Sequence, residues 1–115
     1  MSYTVHILVP GDDEVSASVN IGGPAAESAD VVFRELYDDN TPPDYVDDDG
    51  SEWYELDAPT CRQRIPDATR AAIPDPRWDD REWRRAVADG FERLAEALER
   101  VEQRAVKPPV IFVSY

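Results

Sequence analysis

An α+β fold, a two-layer sandwich with helices on a small mixed or antiparallel sheet, is predicted from three observations. Trp83, Val87, Phe91, Leu94, Leu98, Val101 and Ala105 follow one another at steps of four or three, which lines up one face of a helix. Val15, Ala17, Val19 and Ile21 alternate with Ser16, Ser18 and Asn20, the period of a strand with one buried face. The segment Val110-Ile111-Phe112-Val113-Ser114-Tyr115 is apolar on both faces, as in a strand inside a sheet. At 115 residues the chain has the length of one domain, 1–115.

In chain order, a strand is predicted near 3–9, with Tyr3, Val5, Ile7 and Val9 on one face and Thr4, His6 and Leu8 on the other. Leu8 gives the second face apolar content, so this strand too is expected to lie centrally. Pro10-Gly11-Asp12-Asp13 is turn chemistry and joins it as a hairpin to the strand at 15–21. After Gly22-Gly23, Pro24 suits the first turn of a helix over 24–37, with Ala25, Ala29, Val32, Phe33 and Leu36 on its buried side. A strand through Val31-Val32-Phe33 is the alternative there.

Residues 38–51 lose all periodicity and read as an acidic loop. A short strand follows near 52–56. Pro59, Pro66, Pro74 and Pro76 break the stretch 57–77 and leave room for one short helix, Asp67–Ile73.

The long helix is predicted over 79–106. Asp79 is its N-cap, Glu82 completes an Asp version of the capping box, and Trp78 and Trp83 stand at hydrophobic-staple spacing. Asp80–Arg84, Asp89–Arg93 and Glu96–Arg100 are acid-before-base pairs at i,i+4. Gly90 interrupts the helix formers and implies a bend or a close approach. The closing strand at 110–114 is expected to run parallel to the first after a helical crossover.

The formal net charge is −13, and it is unevenly placed. Residues 1–61 hold 15 acids and one base, Arg34, whereas residues 62–115 hold 10 acids and 11 bases. General salt adaptation would spread acids over every exposed face, the long helix included. A polarised chain implies a directed electrostatic face. Direct nucleic-acid binding is disfavoured, because polyphosphate affinity needs uncompensated Lys and Arg. The basic run Arg62, Arg64, Arg70, Arg77, Arg81, Arg84 and Arg85 is interleaved with acids, and its expected role is to neutralise the acidic half within the molecule.

Catalysis is not expected. The one histidine, His6, lies in a strand with no Gly-x-Ser-x-Gly elbow beside it. Ile21-Gly22-Gly23-Pro24 occupies the place of a phosphate loop without its pattern. Asp47, Asp49 and Gly50 match positions three, five and six of a calcium loop, but Tyr45 and Leu56 fall where positions one and twelve need carboxylates. No metal or cofactor is therefore assigned. One cysteine, Cys61, excludes an internal disulfide and fits a reducing compartment. No run is long and apolar enough for a membrane span and the first residues lack a basic leader, so a cytoplasmic protein without membrane attachment is expected.

The functional lead is the stretch Glu35–Asp57, with ten carboxylates, no base and the aromatics Tyr37, Tyr45, Trp53 and Tyr54. Carboxylates steer encounter with a basic protein and aromatics anchor it. The expected partner site is Asp44, Tyr45, Asp47, Asp48, Asp49, Glu52, Trp53, Tyr54 and Glu55. Asp47, Asp48, Asp49 and Glu52 would form its electrostatic part, and Tyr45, Trp53 and Tyr54 its anchors. In functional type the chain resembles immunity proteins that neutralise nuclease toxins, and DNA-mimic inhibitors. That resemblance implies a non-catalytic inhibitor that blocks a basic partner by occlusion. The alternatives are an adaptor subunit of a larger assembly, or a small metal-binding protein or enzyme using the acidic loop.

Overall fold

The computed structural model describes residues 3–26, 42–71 and 79–114. In order, these form strand β1 (Tyr3–Leu8), strand β2 (Ala17–Ile21), a 3-10 turn (Gly23–Ala25), strands β3 (Tyr45–Val46) and β4 (Glu52–Glu55), helices α1 (Ala58–Ala71) and α2 (Asp80–Arg104), and strand β5 (Val110–Ser114). The five strands make one sheet in the order β2-β1-β5-β4-β3. Two helices stacked on it complete an α+β two-layer arrangement. The predicted helix 24–37 beyond Ala26, the loop over 38–41 and Trp78 lie outside the described residues.

Alternation decides which side chains meet the helices. Tyr3, Val5, Ile7, Ile21, Ile111 and Val113 face α2 and are buried in one core with Trp83, Val87, Phe91, Leu94, Leu98 and Val101. The stripe read from the sequence is thus the inner face of α2. Asp79 caps that helix, its carboxylate accepting from the Arg81 amide at 2.7 Å, and Asp80 pairs with Arg84 at 2.9 Å. β1 and β5, read as apolar on two faces, both lie inside the sheet. On the far face Leu8, Trp53 and Val110 form a second, smaller cluster with Tyr45 and Phe112 against it.

Four expectations are corrected. β5 runs antiparallel to β1, with Val5 opposite Val113 and Ile7 opposite Ile111. The handedness rule concerns a single helical crossover; here α1 and α2 form an antiparallel pair between β4 and β5, and the second helix reverses the chain once more. The short helix is also longer and earlier than predicted, at Ala58–Ala71. Pro59 falls in its first turn, where a missing N–H costs nothing. Asp57 accepts from the Thr60 amide at 2.7 Å, and Glu102 of α2 accepts from the Ala58 amide at 2.8 Å. Ala58 and Cys61 are buried in the core with α2, and the helix continues through Pro66. Third, Val15 is 44% exposed and precedes β2 instead of facing inward. Fourth, Tyr45-Val46, read as loop, pairs with β4 in the register Tyr45–Trp53 and Val46–Glu52.

Gly90 marks a close approach. A Cβ built there would lie 3.5 Å from both Ala25 Cβ and Ile21 Cγ2, an ordinary van der Waals contact. Gly90→Ala is therefore expected to stabilise the fold by about 0.5–1 kcal/mol through helix propensity. Urea unfolding checks this; a loss of stability would mean that the helix sits closer to the β2 end than these distances allow.

Candidate functional site

Residues 44–55 of the acidic stretch form a hairpin at one edge of the sheet, and their own carboxylates build it. Asp44 opens it: its amide donates to the Trp53 carbonyl at 2.9 Å, and its carboxylate accepts from the Glu55 amide at 2.7 Å. Asp47 closes the tip. Its Oδ1 accepts from the amides of Asp49 (3.0 Å) and Ser51 (2.9 Å), and its Oδ2 accepts from the Trp53 indole N–H at 2.9 Å. The Asp47 carbonyl accepts from Gly50, whose φ of +83° only glycine adopts readily. The Asp-x-Asp-Gly pattern is therefore a turn that binds its own backbone. Among the described residues no group of three or more His, Cys, Asp or Glu side chains could hold a metal ion.

These bonds hold the Asp47 carboxyl below its ordinary value of 3.8. The Trp53 indole is the main cause, partial desolvation opposes it, and the Ser51, Asp49 and Gly50 amides add to it. A carboxyl lowered in the folded state contributes stability above its unfolded pKa, and that contribution is lost as pH falls through the folded value. The Trp53 indole N–H resonance should therefore titrate with a midpoint below 3.8. Asp47→Ala should abolish that titration and speed hydrogen exchange at the Asp49 and Ser51 amides, which lose their acceptor. A midpoint at or above the ordinary value would sink this account of the tip.

The nine residues expected in the partner site divide into three groups. Asp48, Asp49, Glu52 and Glu55 are exposed carboxylates, and Asp44 is exposed while tied to the Glu55 amide. Asp47 is turned onto its own loop. Trp53 and Tyr54 are each 5% exposed and face opposite sides of the sheet. Trp53 packs on Phe112, with ring centroids 5.5 Å apart. Burial, with Glu52 beside it, pushes the Tyr54 phenol up. Both rings brace the hairpin, and Tyr45 is half-buried. The apolar side chain that the hairpin does present is Val46, 51% exposed. It escaped the sequence reading because an isolated valine in an acidic run carries no periodic signal.

The expected neutralisation of the acidic half is not how Arg62 and Arg84 are used. Arg62 reaches Glu92 at 3.3 Å and Glu99 at 3.0 Å, both on α2, and Arg84 reaches Asp80 on its own helix. These pairs leave the hairpin's carboxylates uncompensated by either base.

His6 is less isolated than the sequence implied. Its Nδ1 lies 3.0 Å from Ser18 Oγ on β2 and its Nε2 lies 3.0 Å from Ser114 Oγ on β5. His6 thus stands between two serine hydroxyls, neither of which lies in a Gly-x-Ser-x-Gly elbow. The β1 backbone is engaged by ladders on both sides, and this strand offers no N–H groups to stabilise an oxyanion.

A cleft of about 470 Å³ lies between the β1–β2 turn and the end of α2, lined by Val9, Asp12, Val101, Arg104 and Lys107 among others. A groove of about 490 Å³ beside the 3-10 turn is lined by Ala25, Asp89, Glu92 and Arg93 among others. Neither is lined by a residue of the hairpin. No helix is long and apolar enough to cross a membrane among the described residues. Comparison with known proteins returns no matching family model, no matching curated protein and no matching solved structure.

Proposed function

We propose that this is a non-catalytic binding protein of the inhibitor or immunity type, and that its edge hairpin, residues 44–55, occludes a basic surface such as that of a nuclease toxin or another nucleic-acid-binding protein. One observation carries the reading. Asp44 and Asp47 are used to fix the hairpin, and Asp48, Asp49, Glu52 and Glu55 stand exposed on that pre-organised scaffold, Glu52 paired across the strands with the exposed Val46. Pre-ordering lowers the entropy lost on binding. Exposed carboxylates raise the encounter rate with a basic partner, and Val46 is placed to be covered in the complex.

The test begins with affinity capture at about 50 mM salt, where screening is weak, followed by mass spectrometry and rate measurements on the captured protein. Replacing Asp48, Asp49 and Glu52 together by Lys should slow association at least about tenfold while changing dissociation less than about threefold. Raising salt to about 500 mM should reproduce much of that slowing in the parent protein. Val46→Ala should act the other way, mainly speeding dissociation. Unchanged association by the triple variant would remove the hairpin from the interface and favour the adaptor reading.

A further inference from the structure

The two edges of the sheet differ in every respect that governs strand pairing. The β3 edge is two residues long and flanked by Asp44, Asp47, Asp48 and Asp49, which blunts it against addition of another strand. The β2 edge is five residues long, Ala17–Ile21, with neither proline nor charge. From Val15 to Ala26 the sequence contains no charged residue, although 32% of the chain is charged. Among the described residues, no backbone hydrogen bond of Ala17–Ile21 goes anywhere but to β1. An antiparallel strand bonded on one side presents alternate N–H and C=O groups on the other, and β2 itself carries neither the charge nor the proline that discourages their use.

We infer that β2 is a self-association edge, pairing antiparallel with β2 of a second copy of this chain about a two-fold axis. The sequence of β2 suits this arrangement. In the register centred on Val19, Ala17 of each copy lies opposite Ile21 of the other, and Ser18 lies opposite Asn20. The helix-facing apolar side of β2 is thus continued across the dyad, and so is its hydroxyl-and-amide side. An isologous contact of this kind closes on itself.

Charge selects a second copy over a basic strand. Two molecules at −13 repel one another, and close approach is easiest through a neutral stretch. The nearest acid before β2 is Glu14, five residues from Val19, or about 17 Å along an extended strand. Along the strand that exceeds the screening length of about 8–10 Å at physiological salt. Asp89, Glu92 and Glu96 of α2, with Arg93 among them, line the groove beside Gly22 and set the repulsion that salt screens. A basic partner, by contrast, is drawn to the hairpin, three strands away across the sheet. The paired form leaves a hairpin free at each distal edge.

The experiment is sedimentation equilibrium of the whole chain between about 5 and 500 µM, at low and at physiological salt, because pairing follows mass action. The 13.0 kDa chain should pass to a dimer as concentration rises, and the dimer should strengthen with salt, the reverse of the salt effect proposed for the hairpin. Ser18→Lys with Asn20→Lys places four cations around the dyad on exposed positions and should weaken association at least tenfold. Hydrogen exchange on the unmodified protein gives a readout independent of how that variant folds: amides within Ala17–Ile21 should gain protection on going from dilute to concentrated solution. A single 13.0 kDa species at every concentration and salt would overturn the inference. So would association undiminished in a folded double-lysine variant, or concentration-dependent protection located elsewhere.

Discussion

Leu94→Ala is expected to lower the free energy of unfolding by about 2–5 kcal/mol. Leu94 is fully buried, 0% exposed, midway along α2 and inside the cluster that joins the helix to the sheet. Truncation removes apolar contacts from both layers and leaves a cavity that a helix pinned by Trp83, Phe91 and Leu98 cannot easily close. The upper part of the range applies if the layers stay apart, the lower if they settle together. Urea unfolding at constant m-value is the measurement. A loss below about 0.5 kcal/mol is what an exposed position gives, and it would mean that this face of α2 does not meet the sheet.

Cys61 is expected to be nearly inert in the folded protein. It is 1% exposed, and its Sγ lies 3.5 Å from the Phe91 carbonyl. Burial, with Glu92 nearby, pushes its thiol from an ordinary 9.0 up to about 12. Only the thiolate attacks a thiol reagent, and a rise of that size lowers the thiolate fraction at pH 8 by about a thousandfold. Labelling by an aromatic disulfide reagent should therefore proceed at least about 10³-fold faster in denaturant than in buffer, and in buffer it should track opening of the fold. The sign for stability follows from proton counting. Between 9.0 and about 12 the unfolded chain has lost a proton that the native state keeps, so the Cys61 contribution makes stability fall as pH rises, at about 1.4 kcal/mol per pH unit. Rapid stoichiometric labelling of the native protein would show that α1 does not seal Cys61 against α2.

Features that depend on local period were legible in the residues alone. The α2 stripe from Trp83 to Val101, the Asp79 cap, the alternation through Ala17 and Val19, and the two-faced apolar strands around Ile7 and Ile111 are all set by neighbours within a few residues. Strand direction was not of that kind. β5 is antiparallel to β1 because an antiparallel pair of helices stands before it, and prolines made the first of them read as a short segment, Asp67–Ile73, where the helix in fact begins at Ala58. The site divided in the same way. That residues 44–55 form an acidic segment was plain from composition, whereas which carboxylates are free was not. Asp47 and Asp48 are equivalent in the sequence; only the hairpin turns Asp47 onto the Trp53 indole and leaves Asp48 in solvent. Trp53 and Tyr54 were expected as anchors from composition, whereas their burial on opposite faces of the sheet comes from the fold. Likewise, Ser18 could be placed opposite His6 from hairpin register, but Ser114 reaches the other ring nitrogen only through β5, whose pairing joins residues 108 positions apart. Contacts at that separation are fixed by how the layers pack, and no local pattern records them.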